Sequence, residues 1–261
     1  MLHPIDAATR AAESRLSAFF HEHPRAALAF SGGADSAYLL HAARRFGCDV
    51  RAYCVHTAFQ PAFELADAQR LARELGAQMT VVPLDILALD TVRANPADRC
   101  YHCKRAMFGQ MLRAAKADGY DLMIDGTNAS DDASDRPGMR ALRELCVRSP
   151  LREAGLTKAQ VRALSHEAGL FTWDKPAYAC LATRVPAGVA IEAEALARVE
   201  RAEDALRAMG FSDLRVRLYG SAARIQLPAA QLERAVAQRT QILSALDGVF
   251  DAVLLDLKAR D

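Results

Sequence analysis

Residues 26–36 of this 261-residue chain read AALAFSGGADS, and this stretch constrains everything built around it. An apolar run of strand length, Ala26–Phe30, leads into two glycines and then into an amphipathic pattern starting at Ser36. A run that short also fits a buried helix segment. The glycine punctuation and the pattern that follows select strand, loop, helix. Gly32 and Gly33 allow positive φ and close approach of backbone to a ligand. The helix is expected to begin near Asp35–Ser36, with its unpaired N–H groups and positive dipole end facing the loop. That makes a seat for phosphate or pyrophosphate. Ser31 and Ser36 add hydroxyl donors, and Asp35 is the expected holder of a Mg2+ that bridges phosphates. For the glycines alone, a tight βα turn without a ligand is the plain alternative.

The full S-G-G-x-D-S is more specific. It lacks the G-K-[ST] ending of the P-loop, so the lysine that reaches the γ-phosphate is missing. The stretch resembles the PP-loop of the ATP pyrophosphatase superfamily. The resemblance implies an adenine nucleotide alpha hydrolase-like fold, cleavage of ATP between the α and β phosphates, and transfer of AMP to a substrate oxygen.

The rest of the chain fits an α/β architecture. A helix is expected over residues 6–22, with Asp6 as its N-cap. Strands are expected at Val50–Val55, Met79–Leu84 and Asp121–Asp125. Helices are expected from the loop to Arg45, over Glu64–Leu75 and over Cys103–Ala117. This alternation predicts a doubly wound, mostly parallel sheet with helices on both faces. Ligands in such sheets sit at the carboxyl ends of strands, so SGGADS and Asp125-Gly126-Thr127-Asn128 are expected to share one pocket. Residues 126–150 read as loop, with Asp131, Asp132, Asp135 and an Arg136-Pro137-Gly138 turn. Thr157 should cap a helix to about Ala168, and 169–188 reads as irregular. After Gly188 the pattern changes to helix (Glu192–Met209), two strands (Leu214–Leu218, Arg224–Leu227), helix (Gln231–Leu246) and strand (Ala252–Leu257). We therefore expect a PP-loop domain over 1–188 and a small α+β domain over 189–261.

Composition excludes some classes and leaves others open. Hydrophobic residues make up 51% and charged residues 25%, which suits a globular chain with a sizeable core. No apolar run approaches the roughly 18 residues that span a membrane, and the charged N-terminus has no secretory pattern, so the expected location is cytoplasmic. Net charge is +1 and no basic tract occurs, which weighs against nucleic acid as a partner.

Six cysteines in such a chain suggest metal or redox chemistry before disulfides. Cys48, Cys54 and Cys146 lie in or beside expected elements and read as small buried hydrophobes. Cys100 and Cys103 form a C-x-x-C. Alone it is compatible with half a zinc knuckle, a redox pair, iron–sulfur ligands or no site at all. No second C-x-x-C or His pair has zinc spacing, and a thioredoxin-like context is missing. Together with the remote Cys180, the pair suits a cubane cluster with one iron left open. Alternatively Cys180 alone attacks or donates sulfur, its thiolate favoured by Arg184 or a helix N-terminus.

One family matches in detail. Asn95-Pro96-Ala97-Asp98-Arg99-Cys100-Tyr101-His102-Cys103-Lys104 resembles the N-P-x-D-R-C-x-x-C-K segment of LarE-type sulfur transferases. So do Asp125-Gly126-Thr127-Asn128, Asp135-Arg136-Pro137-Gly138, Arg143-Glu144, Val147–Leu151, Trp173-Asp174-Lys175-Pro176 and Ala179–Arg184, in the family's order. The resemblance implies synthesis of the nickel-pincer nucleotide of lactate racemase and related enzymes. ATP would adenylate a carboxylate of pyridinium-3,5-biscarboxylic acid mononucleotide, and sulfur would displace AMP to leave a thiocarboxylate, twice per product. It also implies a homo-oligomer. Members with one cysteine, at the Cys180 position, sacrifice its sulfur. Members with three are similar to cluster-dependent thiolases, and with Cys100, Cys103 and Cys180 present we expect a [4Fe-4S] cluster here.

The resemblance further implies Asp35 and the three cysteines as catalytic residues. ATP and substrate would be bound by Ser31, Gly32, Gly33, Asp35, Ser36, Gly126, Thr127, Lys104, Arg184 and Arg224. The family pattern H-G-x-x-A-R-I-E is altered here, with Tyr219 for the histidine and Gln226 for the glutamate; Arg224 is retained as the expected phosphate donor. The lone Trp173 reads as a half-buried packing residue before a stacking platform. Two rivals from other classes stay open: a cluster-dependent tRNA thiolase, and an ammonia-dependent amidotransferase that would not need the cysteine trio. A non-catalytic nucleotide- or cluster-binding regulator is a third.

Overall fold

The computed structural model describes residues 5–131, 137–176 and 178–260. Asp132, Asp135 and Arg136, expected in a loop, lie outside the described residues.

In chain order the elements are α1 (Ala7–Glu22), β1 (Arg25–Ala29), α2 (Ala34–Arg45), β2 (Asp49–His56), α3 (Ala62–Glu74), β3 (Met79–Pro83), α4 (Asp90–Arg93), α5 (Arg99–Ala117), β4 (Met123–Ile124), α6 (Pro137–Glu144), α7 (Pro150–Glu153), α8 (Lys158–Glu167), α9 (Ala193–Ala208), β5 (Arg215–Tyr219), β6 (Ala222–Gln226), α10 (Ala229–Ala237), α11 (Arg239–Ala245) and β7 (Val253–Leu255). They fall into two compact units. One runs to Asp85 and resumes from Asp98 to 176; the other takes Ile86–Ala97 and the chain from Tyr178 onward.

The first unit holds a four-stranded, all-parallel sheet in the order β3-β2-β1-β4. β1 is central because its residues are apolar on both faces. Ala26, Leu28 and Phe30 join one core with α1, α2 and α8, while Ala27 and Ala29 join another with Phe108, Met111 and Ala115 of α5. Small alanines let helices approach both faces, so the expected doubly wound sheet is what forms. The chain leaves β1 toward β2 on one side and later returns to β4 on the other. The switch point therefore lies between β1 and β4, where α/β sheets open a crevice for ligands.

The second unit has a three-stranded sheet, β5-β6-β7, antiparallel between β5 and β6 and parallel between β6 and β7. Ala202 and Leu206 of α9 pack on Val216, Ala223 and Ile225. Among the described residues no helix is long and apolar enough to cross a membrane.

Three local expectations need correction. The 126–150 stretch, expected as loop, contains the helix α6, and α7 starts at its last residue, Pro150, whose missing N–H costs nothing at the beginning of a helix. The single helix expected over Gln231–Leu246 breaks at Gln238, which ends α10 and precedes α11 with φ −95° and ψ 16°. Cys146 is exposed with φ +54° just after α6, whereas Cys48 and Cys54 are buried as expected.

Candidate active site

The SGGADS loop lies at the switch point. Gly33 is the N-cap of α2 and its backbone is extended, so the helix begins at Ala34, one residue earlier than expected. Gly32 takes φ +71°, and a Cβ there would meet Ala68 of α3 at 2.9 Å. Only glycine fits this position, sterically and conformationally. The hydroxyls of Ser31 and Ser36 are 3.2 Å apart, and Ser36 Oγ donates to the Gly33 carbonyl at 3.2 Å.

The loop after β4 abuts the first loop. A Cβ on Gly126 would lie 2.9 Å from the Ser36 nitrogen, so the two backbones touch without a side chain between them. Buried Asp125 shapes this second loop. It accepts from Thr127 Oγ1 at 2.6 Å, Thr127 N at 3.3 Å and Ser149 Oγ at 2.7 Å. Asn128 is also buried, and its Nδ2 donates to Asp35 Oδ1 at 3.3 Å. The structure therefore brings Ser31, Gly32, Gly33, Asp35, Ser36, Gly126 and Thr127 together.

Lys158 is the residue that sequence reasoning missed. It sits at the start of α8, directly after the Thr157 cap, and its ammonium is ion-paired with Asp35 Oδ2. A cation in the first turn of a helix opposes the helix dipole. That local conflict was the available signal. Burial pushes the Asp35 carboxyl up from the ordinary aspartate range; Lys158 and Asn128 pull the other way without overcoming it, and Asp131 adds to the rise. A divalent cation would relieve the same desolvation. Lys175 makes a similar pair with Asp67 at 2.7 Å, one residue from the Ala68 that packs on Gly32.

Cys100 and Cys103 both lie on the first turn of α5, which begins at Arg99 rather than at Cys103 as expected. Residues three apart on a helix share a face. Cys100 is exposed; Cys103 is half-buried with its sulfur 3.6 Å from Met107 Sδ. Lys104 is half-buried and runs along Gly138, whose missing Cβ would meet its Cδ and Cε at 3.1 Å. Trp173 is half-buried against the His166 ring, edge to face, at 4.7 Å.

Cys180, Arg184 and Arg224 belong to the second unit. Cys180 is half-buried and precedes a short 3-10 turn, Leu181–Arg184. Its carbonyl accepts from Thr183 N at 3.0 Å and Thr183 Oγ1 at 2.9 Å. Arg184 is fully buried and paired with buried Glu203, so its charge is matched there and is not a free cation beside the thiol. Arg217 and Arg224 are cross-strand partners on β5 and β6. Arg224 Nε has no hydrogen-bond partner among the described residues; Asp256 Oδ2 is 3.7 Å away. Burial, then the Arg184 charge, disfavours the Arg217 cation, and Arg224 adds to this, so an anion on this face would be welcome.

Three thiolates are the soft donors that an iron–sulfur cluster takes. Two of the three are placed on one helical turn. Among the described residues no three His, Cys, Asp or Glu side chains form a metal-ligating group.

No family model matches the chain. It is 40% identical over 225 residues to an uncharacterised protein of Synechocystis sp., covering 85% of this chain and 83% of that protein. It is 35% identical over 222 residues to the pyridinium-3,5-bisthiocarboxylic acid mononucleotide synthase of Lactiplantibacillus plantarum, covering 84% of this chain and 80% of the relative. A more distant likeness, 25% over 185 residues and 52% of the relative, is to a tRNA-specific 2-thiouridylase of Thermotoga neapolitana.

Proposed function

The chain belongs to the LarE-type family of pyridinium-3,5-bisthiocarboxylic acid mononucleotide synthases, and on that premise we propose how its residues divide the work. The substrate is pyridinium-3,5-biscarboxylic acid mononucleotide, and each of its carboxylates is adenylated by ATP and then thiolated. The observation that carries this reading is the Asp35 carboxylate, held by Lys158 and Asn128 at the start of α2 beside the bare backbones of Gly32 and Gly126.

A carboxylate is a poor electrophile, so it must first become an acyl adenylate. One carboxylate oxygen attacks the α-phosphorus of ATP, and the bonding pair to the β-phosphate oxygen leaves with pyrophosphate. The amides of the SGGADS loop and the N-terminus of α2 hold the departing charge. Asp35 would hold a Mg2+, which would supply charge neutralisation for the departing pyrophosphate, and Lys158 beside it is the protein's own cation for a phosphate oxygen.

Sulfur then attacks the acyl carbon and AMP leaves with the bonding pair. Cys100, Cys103 and Cys180 are the sulfur-handling residues, and a [4Fe-4S] cluster on them would supply a sulfide at an open iron. On the sacrificial alternative, the Cys180 thiolate makes a thioester. Loss of its Cα proton and cleavage of Cβ–S then free the thiocarboxylate and leave dehydroalanine. Arg224 holds the substrate phosphate, with the 189–261 segment as the substrate-binding part.

The test is pyrophosphate release with the biscarboxylic mononucleotide, alongside mass spectrometry of product and protein. Substrate-dependent pyrophosphate and oxygen-for-sulfur exchange are expected. An unchanged protein mass after anaerobic turnover with iron and sulfide supports the cluster; loss of sulfur from Cys180 supports sacrifice. Pyrophosphate release that depends on tRNA instead would overturn the reading.

A further inference from the structure

We propose that Glu203 is a positioning residue for Cys180, acting through Arg184. The proposal rests on Cys180 being a sulfur-handling residue. Glu203 lies within the core-facing stripe of α9, among Val199, Ala202 and Leu206, and its side chain is 0% exposed. A carboxylate in that register needs a full set of donors. It has them: Arg184 Nε at 2.8 Å and Nη2 at 3.1 Å, Tyr178 hydroxyl at 2.5 Å, Arg207 Nη2 at 3.0 Å and Val216 N at 3.0 Å.

Arg184 is also 0% exposed, and its remaining nitrogen turns toward the thiol loop. Nη1 donates to the Ala179 carbonyl at 2.7 Å and to Thr183 Oγ1 at 2.9 Å, with the Cys180 carbonyl at 3.4 Å. Thr183 Oγ1 in turn donates to the Cys180 carbonyl. Arg217 Nη1 braces the same turn through the Thr183 carbonyl at 2.5 Å. The peptide groups on both sides of Cys180 are therefore tied, through one guanidinium, to a carboxylate on α9.

A buried ion pair is a poor way to gain stability, since an apolar pair of equal volume serves as well or better. Its distinctive property is direction. The guanidinium fork fixes where the 179 and 180 carbonyls lie, and so where the Cys180 side chain leaves the backbone. That is the requirement for a sulfur that must reach one acyl carbon.

The experiment replaces the pair with an apolar one, Arg184→Met with Glu203→Leu, and separately makes Thr183→Val. Alkylation of Cys180 by iodoacetamide is measured by peptide mass spectrometry with Cys100 as internal reference. A rise of at least fivefold is expected in the double variant, read well below its own melting temperature because Tyr178, Arg207 and the Val216 amide lose their acceptor, and a smaller rise in Thr183→Val. In turnover of Thr183→Val, thiocarboxylate formation should fall at least threefold while pyrophosphate release and the KM for ATP stay unchanged; in the double variant thiocarboxylate formation should fall further than pyrophosphate release does. If the double variant does not fold, Thr183→Val alone decides. Wild-type alkylation ratios in the folded variants, or parallel loss of both half-reactions, would overturn the proposal. Absence of pyrophosphate release in the wild type would instead refute the proposed function, and the alkylation ratios would still judge this inference.

Discussion

Lys158 is ion-paired with Asp35 across 123 positions of sequence, at the point where the N-termini of α2 and α8 converge. Two helix N-termini and a lysine concentrate positive potential on one carboxylate. In the proposed reading, that potential is what would hold phosphate oxygens beside a divalent cation.

Removing the lysine should separate its two roles. Lys158→Met is expected to slow pyrophosphate release about 100-fold, the range seen when one electrostatic group is lost from a reacting centre. It also leaves a buried carboxylate without its cation, so the Mg2+ dependence should move as well. Steady-state kinetics against ATP and Mg2+ check both; a change in neither removes Lys158 from the site.

Asp35 should limit activity on the acid side. Its carboxyl is raised by burial, so in the folded protein it takes up a proton at higher pH than a free aspartate, about 3.9. Mg2+ binding needs the ionised form. Pyrophosphate release should fall as pH drops through the raised value, above the ordinary aspartate range. For stability the sign is reversed. The folded state binds the extra proton, so this group favours folding at low pH and loses that contribution as pH rises through the raised value. Asp35→Asn should flatten the acid-side stability change, followed by thermal melts across pH.

Glu203 titrates with the opposite sign. Burial alone would raise its carboxyl, but Arg184, Tyr178 and Val216 N overcome this and hold it below the usual glutamate range. Its contribution to folding is present above about pH 4.3 and is lost as pH falls through the depressed value. Acid unfolding of the wild type should therefore be steeper than that of the Arg184→Met, Glu203→Leu pair.

The two loop glycines should respond differently. Gly32→Ala puts a Cβ 2.9 Å from Ala68 at φ +71° and is expected to cost about 1–3 kcal/mol and most of the activity. Gly33→Ala meets only Ser31 Oγ, at 3.5 Å, with φ −79°, and should fold like the wild type. Denaturant melts of both, side by side, test this.

Thiol chemistry should sort the cysteines by burial. Burial pushes Cys48 and Cys54 up to about 11, so at pH 8 only about one in a thousand is thiolate. Neither should react with iodoacetamide while Cys100, which is exposed, does. Labelling of Cys48 or Cys54 before Cys100 would contradict the packing.

Much of the fold was legible because it rests on local rules. The Ala26–Phe30 run, the glycine pair and the Thr157 cap each act within a few residues, and β1, the loop and α8 form where those rules place them. The break at Gln238 was not legible, since apolar periodicity continues through it. Nor was the exposure of Cys146, because a cysteine's burial depends on what packs over it.

The sequence by itself determined that this chain carries a PP-loop, a parallel sheet to present it and three thiols in a family pattern. Glycine positions, caps and alternation act through the chain's own near neighbours and need no partner to be read. The tertiary structure decided the pairings. Lys158 reaches Asp35 only because strand order puts α8 beside the switch point, and Arg184 becomes a buried clamp only because α9 brings Glu203 to it. The worth of a charge depends on its burial and its partner, and both are settled by packing between segments far apart in sequence.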